Sequence, residues 1–338
     1  MLDRRLLHLL MAVAAVNGLV CIFAPLGIVV RHGGAHAEVG HSIYFAAVVA
    51  LALTPLELVT LWLVLRPRLV ELVDRRQIEA EIARMIDGQL LEMAFQPIMN
   101  IASHQVMGVE ALARFTASPS MPPDVWFSRA ERIGRGAELE LLAIRKALDA
   151  ARRLPEHLSV AVNASPSLVM SGELLPVLLR AAIPPQRIIV EVTEHTSVED
   201  YPPLLHARDQ LREHAIRVAV DDAGSGYSSF RHIVALAPDI IKIDRALITG
   251  IDHDGARRAM VASLVLYALE SGSLILGEGV ETSAELDTLD LLGVDAAQGY
   301  LLGRPTTRPD DWADWRESST LITSPAQAAP LRPTTPNI

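Results

Sequence analysis

From Met93 onward the chain alternates short runs of Val, Ile and Leu with amphipathic segments, and this alternation limits the folds open to it. The candidate strands are 93–98, 106–112, 158–164, 187–193, 217–222, 240–244, 273–279 and 295–301. Helical patterns lie between them at about 127–152, 166–182, 200–214, 228–235, 246–271 and 282–292. Nearly continuous apolar runs suit strands buried on both faces, as in a parallel sheet covered by helices. Eight strands with helices between them predict an α/β fold, a (β/α)₈ TIM-like barrel. An open doubly wound sheet is the alternative, but no GxGxxG turn opens a helix, which weakens its dinucleotide-cofactor version. The first two strands have no helix between them. A hairpin, with the first strand antiparallel, is therefore open beside a parallel pair.

The acids fall in a pattern. Glu110, Asn163, Glu191, Asp221 with Asp222, Lys242, Glu278 and Gln298 each stand at or near the C-terminal end of a different candidate strand. In a barrel those ends converge on one face, where barrel active sites lie. Carboxylates gathered there repel one another and rise in pKa unless cations hold them. Oxygen donors suit Mg²⁺ or Mn²⁺. No HExxH or CxxC pair supports zinc, and no GxSxG elbow supports a serine hydrolase. The formal net charge of −10 argues against a nucleic-acid polymer as partner, since duplex affinity comes largely from Lys and Arg on phosphates. Cys21 is the single cysteine, so no intrachain disulfide forms.

The first 65 residues read differently. Apolar runs at 6–30 and 43–65 each exceed the roughly 20 residues needed to cross a bilayer. Arg4 and Arg5 precede the first run, Arg66, Arg68, Arg75 and Arg76 follow the second, and the short loop between them offers only Arg31. The positive-inside rule then places both ends in the cytoplasm. These features predict two transmembrane helices at 1–65, in the inner (cytoplasmic) membrane, with the C-terminal domain cytoplasmic. Cleavage after Ala35-His36-Ala37 is the competing reading, although the first run is long for a signal peptide. Glu57 lies within the second run, where an ionised acid is costly, and leaves a packing role and a sensing role both open. Residues 66–91 form a charged amphipathic stretch, read as a juxtamembrane linker helix. The tail at 317–338, rich in Ser, Thr, Pro and Ala, is expected to be disordered.

The segment Glu110-Ala111-Leu112-Ala113-Arg114 resembles the signature of the EAL-domain cyclic di-GMP phosphodiesterases. The likeness continues in order through Phe95-Gln96-Pro97-Ile98, Asn163-Ala164-Ser165, Glu191-Val192-Thr193-Glu194 and the stretch from Asp221-Asp222 to Ser229. Lys242-Ile243-Asp244, Glu278-Gly279-Val280-Glu281-Thr282 and the stretch from Gln298-Gly299 to Pro305 complete it, over residues 75–316. The resemblance implies a two-metal phosphodiesterase opening cyclic di-GMP to linear pGpG, and a homodimer. It makes Glu110, Asn163, Glu191 and Asp221 ligands of a first Mg²⁺ or Mn²⁺, with Asp221 shared by a second ion. Asp222 and Glu278 then serve the second ion and the attacking water, and Lys242 holds that water or balances charge. Glu281 and Gln298 become supporting residues, Glu194 the anchor of the loop from Asp222 to Ser229, and Gln96 and Arg114 substrate contacts.

The chain departs from the family pattern in places. Phe115-Thr116-Ala117-Ser118 replaces the usual Trp-x-His-Pro, Ala223 stands where Phe is commoner, Ser225 replaces Thr, and Gly277 replaces Ala before Glu278. No Gly-Gly-Asp/Glu-Glu-Phe cyclase motif is present. A catalytically inactive receptor or interaction module is the alternative reading. Such domains typically lose metal or water-handling residues, and here each is present.

Overall fold

The computed structural model describes residues 62, 66, 70–116, 121–192, 201–224 and 229–315. The expected membrane runs apart from Trp62, and Glu57, Glu194, Ser225 to Ser228 and the tail at 317–338, lie outside these residues. Among the described residues no helix is long and apolar enough to cross a membrane. The chain divides into two compact units, Met1–Ile78 and Glu79–Ile338. In the first unit, the described residues 62, 66 and 70–78 are helical.

The second unit opens with helical residues 79–87 (α1), of which Ile82 and Met85 are fully buried. Eight strands then close into a barrel in sequence order. They are β1 (Leu91–Asn100), β2 (Gln105–Phe115), β3 (Ser159–Ala164), β4 (Ile188–Val192), β5 (Arg217–Ala223), β6 (Ile240–Ile243), β7 (Leu274–Gly277) and β8 (Ala296–Ala297). Neighbours from β2 to β8 pair in parallel, whereas β1 is antiparallel to both β2 and β8. The four-residue turn Ile101–His104 leaves no room for a crossover helix, so β1 and β2 form the hairpin.

The helices are α2 (Pro123–Arg132), α3 (Gly136–Ala150), α4 (Pro166–Met170), α5 (Leu174–Leu179), α6 (Pro202–Glu213) and α7 (Ser229–Leu236). They continue with α8 (Arg245–Ile248), α9 (Gly255–Ser271), α10 (Ser283–Leu292) and α11 (Pro309–Asp314). Three of the expected long helices are each broken in two. The break between α8 and α9 follows from Gly250 at φ +69°, a left-handed turn, and from Asp254, whose carboxylate caps α9 through the Ala256 and Arg257 N–H groups. Strand β8 is shorter than 295–301 because the chain turns at once, with Leu302 and Gly303 N–H both donating to the Gly299 carbonyl.

The barrel interior fixes the geometry of the site. Ile98, Ala161, Ile189, Ala219, Ile240, Leu276 and Ala296 form one buried apolar layer across seven strands. Alternate residues of a strand face the same way. Two positions on from that layer stand Asn163, Glu191, Asp221, Lys242, Glu278 and Gln298, and on the reversed strand β1, two positions back, stands Gln96. The apolar layer is thus the floor on which the polar ring rests.

Candidate active site

Lys242 is the centre of that ring. Its side chain is 1% exposed, and its Nζ lies 2.7 Å from Glu278 Oε1, 2.8 Å from Glu191 Oε2 and 3.1 Å from Asp221 Oδ1. Glu110 Oε2 stands further off at 3.8 Å. Burial alone would lower the ammonium, but Asp221, Glu110, Glu191 and Glu278 more than reverse this and hold it well above the ordinary lysine value. Glu191 is displaced upward by its own burial, against the pull of Lys242 and with repulsion from Glu110 and Asp221. Burial likewise pushes Glu278 up to about 8, against the pull of Lys242. A single ammonium does not neutralise five carboxylates, and buried charge without compensation is costly.

Two further groups frame Glu110. Gln298 Nε2 donates to Glu110 Oε2 at 2.6 Å and to Gln96 Oε1 at 3.2 Å, and Asn163 Nδ2 donates to Glu110 Oε1 at 3.2 Å. Register explains the meeting: Gln96 is opposite Glu110 on β1 and β2, and Asn163 is opposite Glu191 on β3 and β4. On β5 the ladder shifts between Val220 and Ala223. Asp222 takes φ +57° there, and its N–H donates to Asp221 Oδ1 at 3.1 Å. Through this irregularity two consecutive acids serve one place. Asp221, Asp222 and Glu278 each offer an oxygen within 4.8 Å of the others.

These donors fit a hard divalent cation. They are carboxylate and amide oxygens, the ligands Mg²⁺, Mn²⁺ and Ca²⁺ prefer. Gln298 Oε1 is moreover a buried acceptor with no hydrogen-bond partner, on the residue whose Nε2 donates to Glu110. A cation and its water shell would satisfy both.

The remaining expected residues have other partners. Glu281 is exposed and pairs with Arg245 at 2.8 Å. Gln96 Nε2 donates to the Gly303 carbonyl at 3.0 Å while its oxygen accepts from Gln298, so its amide is engaged within the fold. Arg114 is exposed, its guanidinium donating to the Ala113 carbonyl at 3.0 Å. It lines a cavity of about 600 Å³ beside Asn163, with Phe127, Ile144 and Glu140 among the other walls.

Two residues were not legible as site residues. Glu140, on α3, is raised in pKa by burial, against the hydrogen bonds it receives from Ser165, whose N–H lies 2.8 Å from its Oε2. Nothing in its spacing marks it. Glu285, on α10, is buried, and its tendency to rise on burial is overcome by the N–H groups of Gly250, Glu281 and Thr282. Its signal is the Thr282-x-x-Glu285 capping box, readable from sequence as a helix start.

The EAL domain family model matches residues 79–305. The bifunctional diguanylate cyclase/cyclic di-GMP phosphodiesterase MucR of Pseudomonas aeruginosa is 29% identical over 242 residues, covering 69% of this chain and 35% of that protein. The solved complex of the MucR phosphodiesterase with c-di-GMP is 29% identical, with a TM-score of 0.61, covering 68% of this chain and 97% of that one. The manganese/c-di-GMP complex of Klebsiella pneumoniae BlrP1 is 31% identical, with a TM-score of 0.58, covering 64% of this chain and 56% of that one. The chain spans only 29%, 35% and 36% of the length of three curated relatives. With its barrel closed, its first strand reversed and its acids gathered on Lys242, this chain belongs to the EAL domain family.

Proposed function

We propose that the chain is a metal-dependent phosphodiesterase that hydrolyses cyclic di-GMP to linear pGpG. The observation that carries this reading is the contact of Lys242 with Glu278, Glu191 and Asp221 inside a ring whose oxygens outnumber its one positive charge. The names of MucR and of the two c-di-GMP complexes support it.

Glu110, Asn163, Glu191 and Asp221 would hold a first Mg²⁺ or Mn²⁺, and Asp221 with Asp222 a second. Bound there, such ions polarise the phosphodiester and lower the pKa of water. Glu278 suits the proton acceptor for the attacking water, because Lys242 holds its Oε1 at 2.7 Å and its carboxylate stands beside Asp221 and Asp222. Lys242 orients Glu278 and offsets charge that grows on the phosphoryl oxygens. Arg114 suits the far phosphate. The cavity beside it has room for a purine, and Glu140 on its wall is an acceptor fitted to the N–H edge of guanine. Attack of water at phosphorus forms the new P–O bond and breaks the bond to the 3′ oxygen; the water gives its proton to Glu278, the 3′ oxygen takes one from solvent to become a hydroxyl, and a 5′-phosphate is left.

Incubation of the detergent-solubilised chain with cyclic di-GMP and Mg²⁺ or Mn²⁺ should yield pGpG, and chelator should stop it. Equal turnover by Glu110→Ala would overturn the reading, while tight binding with no product would favour the receptor alternative. The proposal includes anchorage in the inner membrane by the apolar runs at 6–30 and 43–65, with a cytoplasmic barrel and a homodimer. Release of the chain from membranes by alkaline carbonate would contradict the anchor, and a monomeric mass in detergent would contradict the dimer.

A further inference from the structure

Glu278 belongs to a short turn, 278–282, between β7 and α10, and Lys242 precedes the segment that runs through α8 to Gly250. The two are on adjacent strands, so the chemistry proposed above depends on how these following segments are held against each other. Glu285 makes that connection. Its Oε1 accepts the Gly250 N–H at 2.9 Å, and its Oε2 accepts the N–H groups of Glu281 at 2.9 Å and Thr282 at 3.0 Å. A single buried carboxylate therefore joins the segment after Lys242 to the turn after Glu278.

A second contact runs in parallel. Gly279 takes φ +67°, and a Cβ there would collide with the Arg245 side chain, whose guanidinium reaches Glu281 at 2.8 Å. The turn is fixed on its other side by Val280, whose N–H donates to the Gln298 carbonyl at 3.0 Å. Glu278 is thus set between β8 and β6, its own N–H donating to the Ile243 carbonyl at 3.1 Å, while the segments that follow β6 and β7 are joined to each other through the side chains of Glu285 and Arg245.

We propose that Glu285 is a positioning residue that holds Glu278 against Lys242 by bridging the Gly250 and Glu281–Thr282 backbones, an inference that rests on the phosphodiesterase reading. A helix cap alone does not require this carboxylate. The capping box is already satisfied by Oε2, with Thr282 Oγ1 accepting the Glu285 N–H at 3.2 Å, and Gln serves a capping box as well as Glu. Oε1, directed to a residue 35 positions away, is the surplus. An amide has one acceptor oxygen and one donor nitrogen. Glu285→Gln therefore keeps the cap but sets its NH₂ against the Gly250 N–H, donor facing donor.

The test compares full-length wild type, Glu285→Gln and Thr282→Ala, with Glu110→Ala as the blank. Glu285→Gln should lower kcat about 10- to 100-fold, as small misplacements of reacting groups do, with KM for cyclic di-GMP little changed. It should also speed hydrogen exchange in the peptides covering 278–282 and 249–250. Thr282→Ala, which weakens the cap and spares the bridge, should lower Tm with kcat per folded molecule unchanged. Wild-type kcat in Glu285→Gln, or loss of kcat in both variants in proportion to lost folded protein, would overturn the proposal. Absence of turnover by the wild type would remove the phosphodiesterase reading instead. The exchange data would then decide alone, and unchanged protection at 278–282 would overturn the bridge.

Discussion

Lys242 Nζ lies 2.7 Å from Glu278 Oε1, the shortest of its four carboxylate contacts, although the two residues end different strands. The pair joins the group proposed to take the water's proton to the one cation within the ring.

Removing that cation should damage both fold and activity. Lys242→Met leaves Glu191, Asp221 and Glu278 without the cation they share. Breaking a buried pair from one side costs about 3 kcal/mol or more. Thermal melts in chelator should show the loss, added Mn²⁺ should recover part of it, and pGpG formation should not return.

The metal-free protein should become less stable as pH rises. Glu278 is pushed up to about 8 by burial, so between the ordinary glutamate pKa and that value the folded chain holds a proton that the unfolded chain releases. Stability from this group is complete below about pH 4.3 and disappears as pH climbs through the folded pKa, a loss on the order of 2 kcal/mol from pH 6 to 9. Urea unfolding in chelator at the two pH values measures it. Saturating Mn²⁺ should flatten the slope, because a bound cation replaces the proton.

Glu140→Ala should weaken substrate recognition rather than chemistry. Loss of a charged acceptor to a base N–H is worth about 2 kcal/mol, or roughly a 30-fold rise in KM, with kcat little affected. Steady-state kinetics would show the split. The cyclic inosine analogue, which lacks the guanine amino group, should lose less on the same substitution.

Trp312→Ala tests the closing helix. Its ring meets Phe95 edge-on with centroids 4.9 Å apart, and its Nε1 donates to the Thr306 carbonyl at 3.2 Å. Thr306 in turn exchanges both backbone hydrogen bonds with Phe95 of β1. Truncating a buried Trp costs about 3 to 5 kcal/mol, which chemical denaturation should register.

The polar ring was legible because its members stand at the C-terminal ends of different candidate strands, and the structure adds the reason they meet: Asn163, Glu191 and Asp221 each follow by two the inward Ala161, Ile189 and Ala219. The hairpin of β1 and β2 was left open from sequence, and the turn length settles it. The helix breaks were less visible, because Gly250 lies within an apolar pattern that continues on both sides of it. Glu140 was hidden for another reason. A carboxylate on an amphipathic helix reads as solvated, and only the packing of α3 against β3 turns it into the cavity wall. Glu281, which the resemblance makes a supporting residue, pairs with Arg245 at 2.8 Å, a contact no strand periodicity announces.

The reversed β1 has one more consequence. Leu91 pairs with Phe115, so the chain comes into the barrel at the same rim that carries Glu110 and Lys242, whereas an all-parallel barrel is threaded from the far rim. The strand that follows α1 therefore carries Gln96 directly to the working rim, where Gln298 links it to Glu110 through adjacent side-chain hydrogen bonds. One inverted strand makes the threshold of the barrel and its working end the same place.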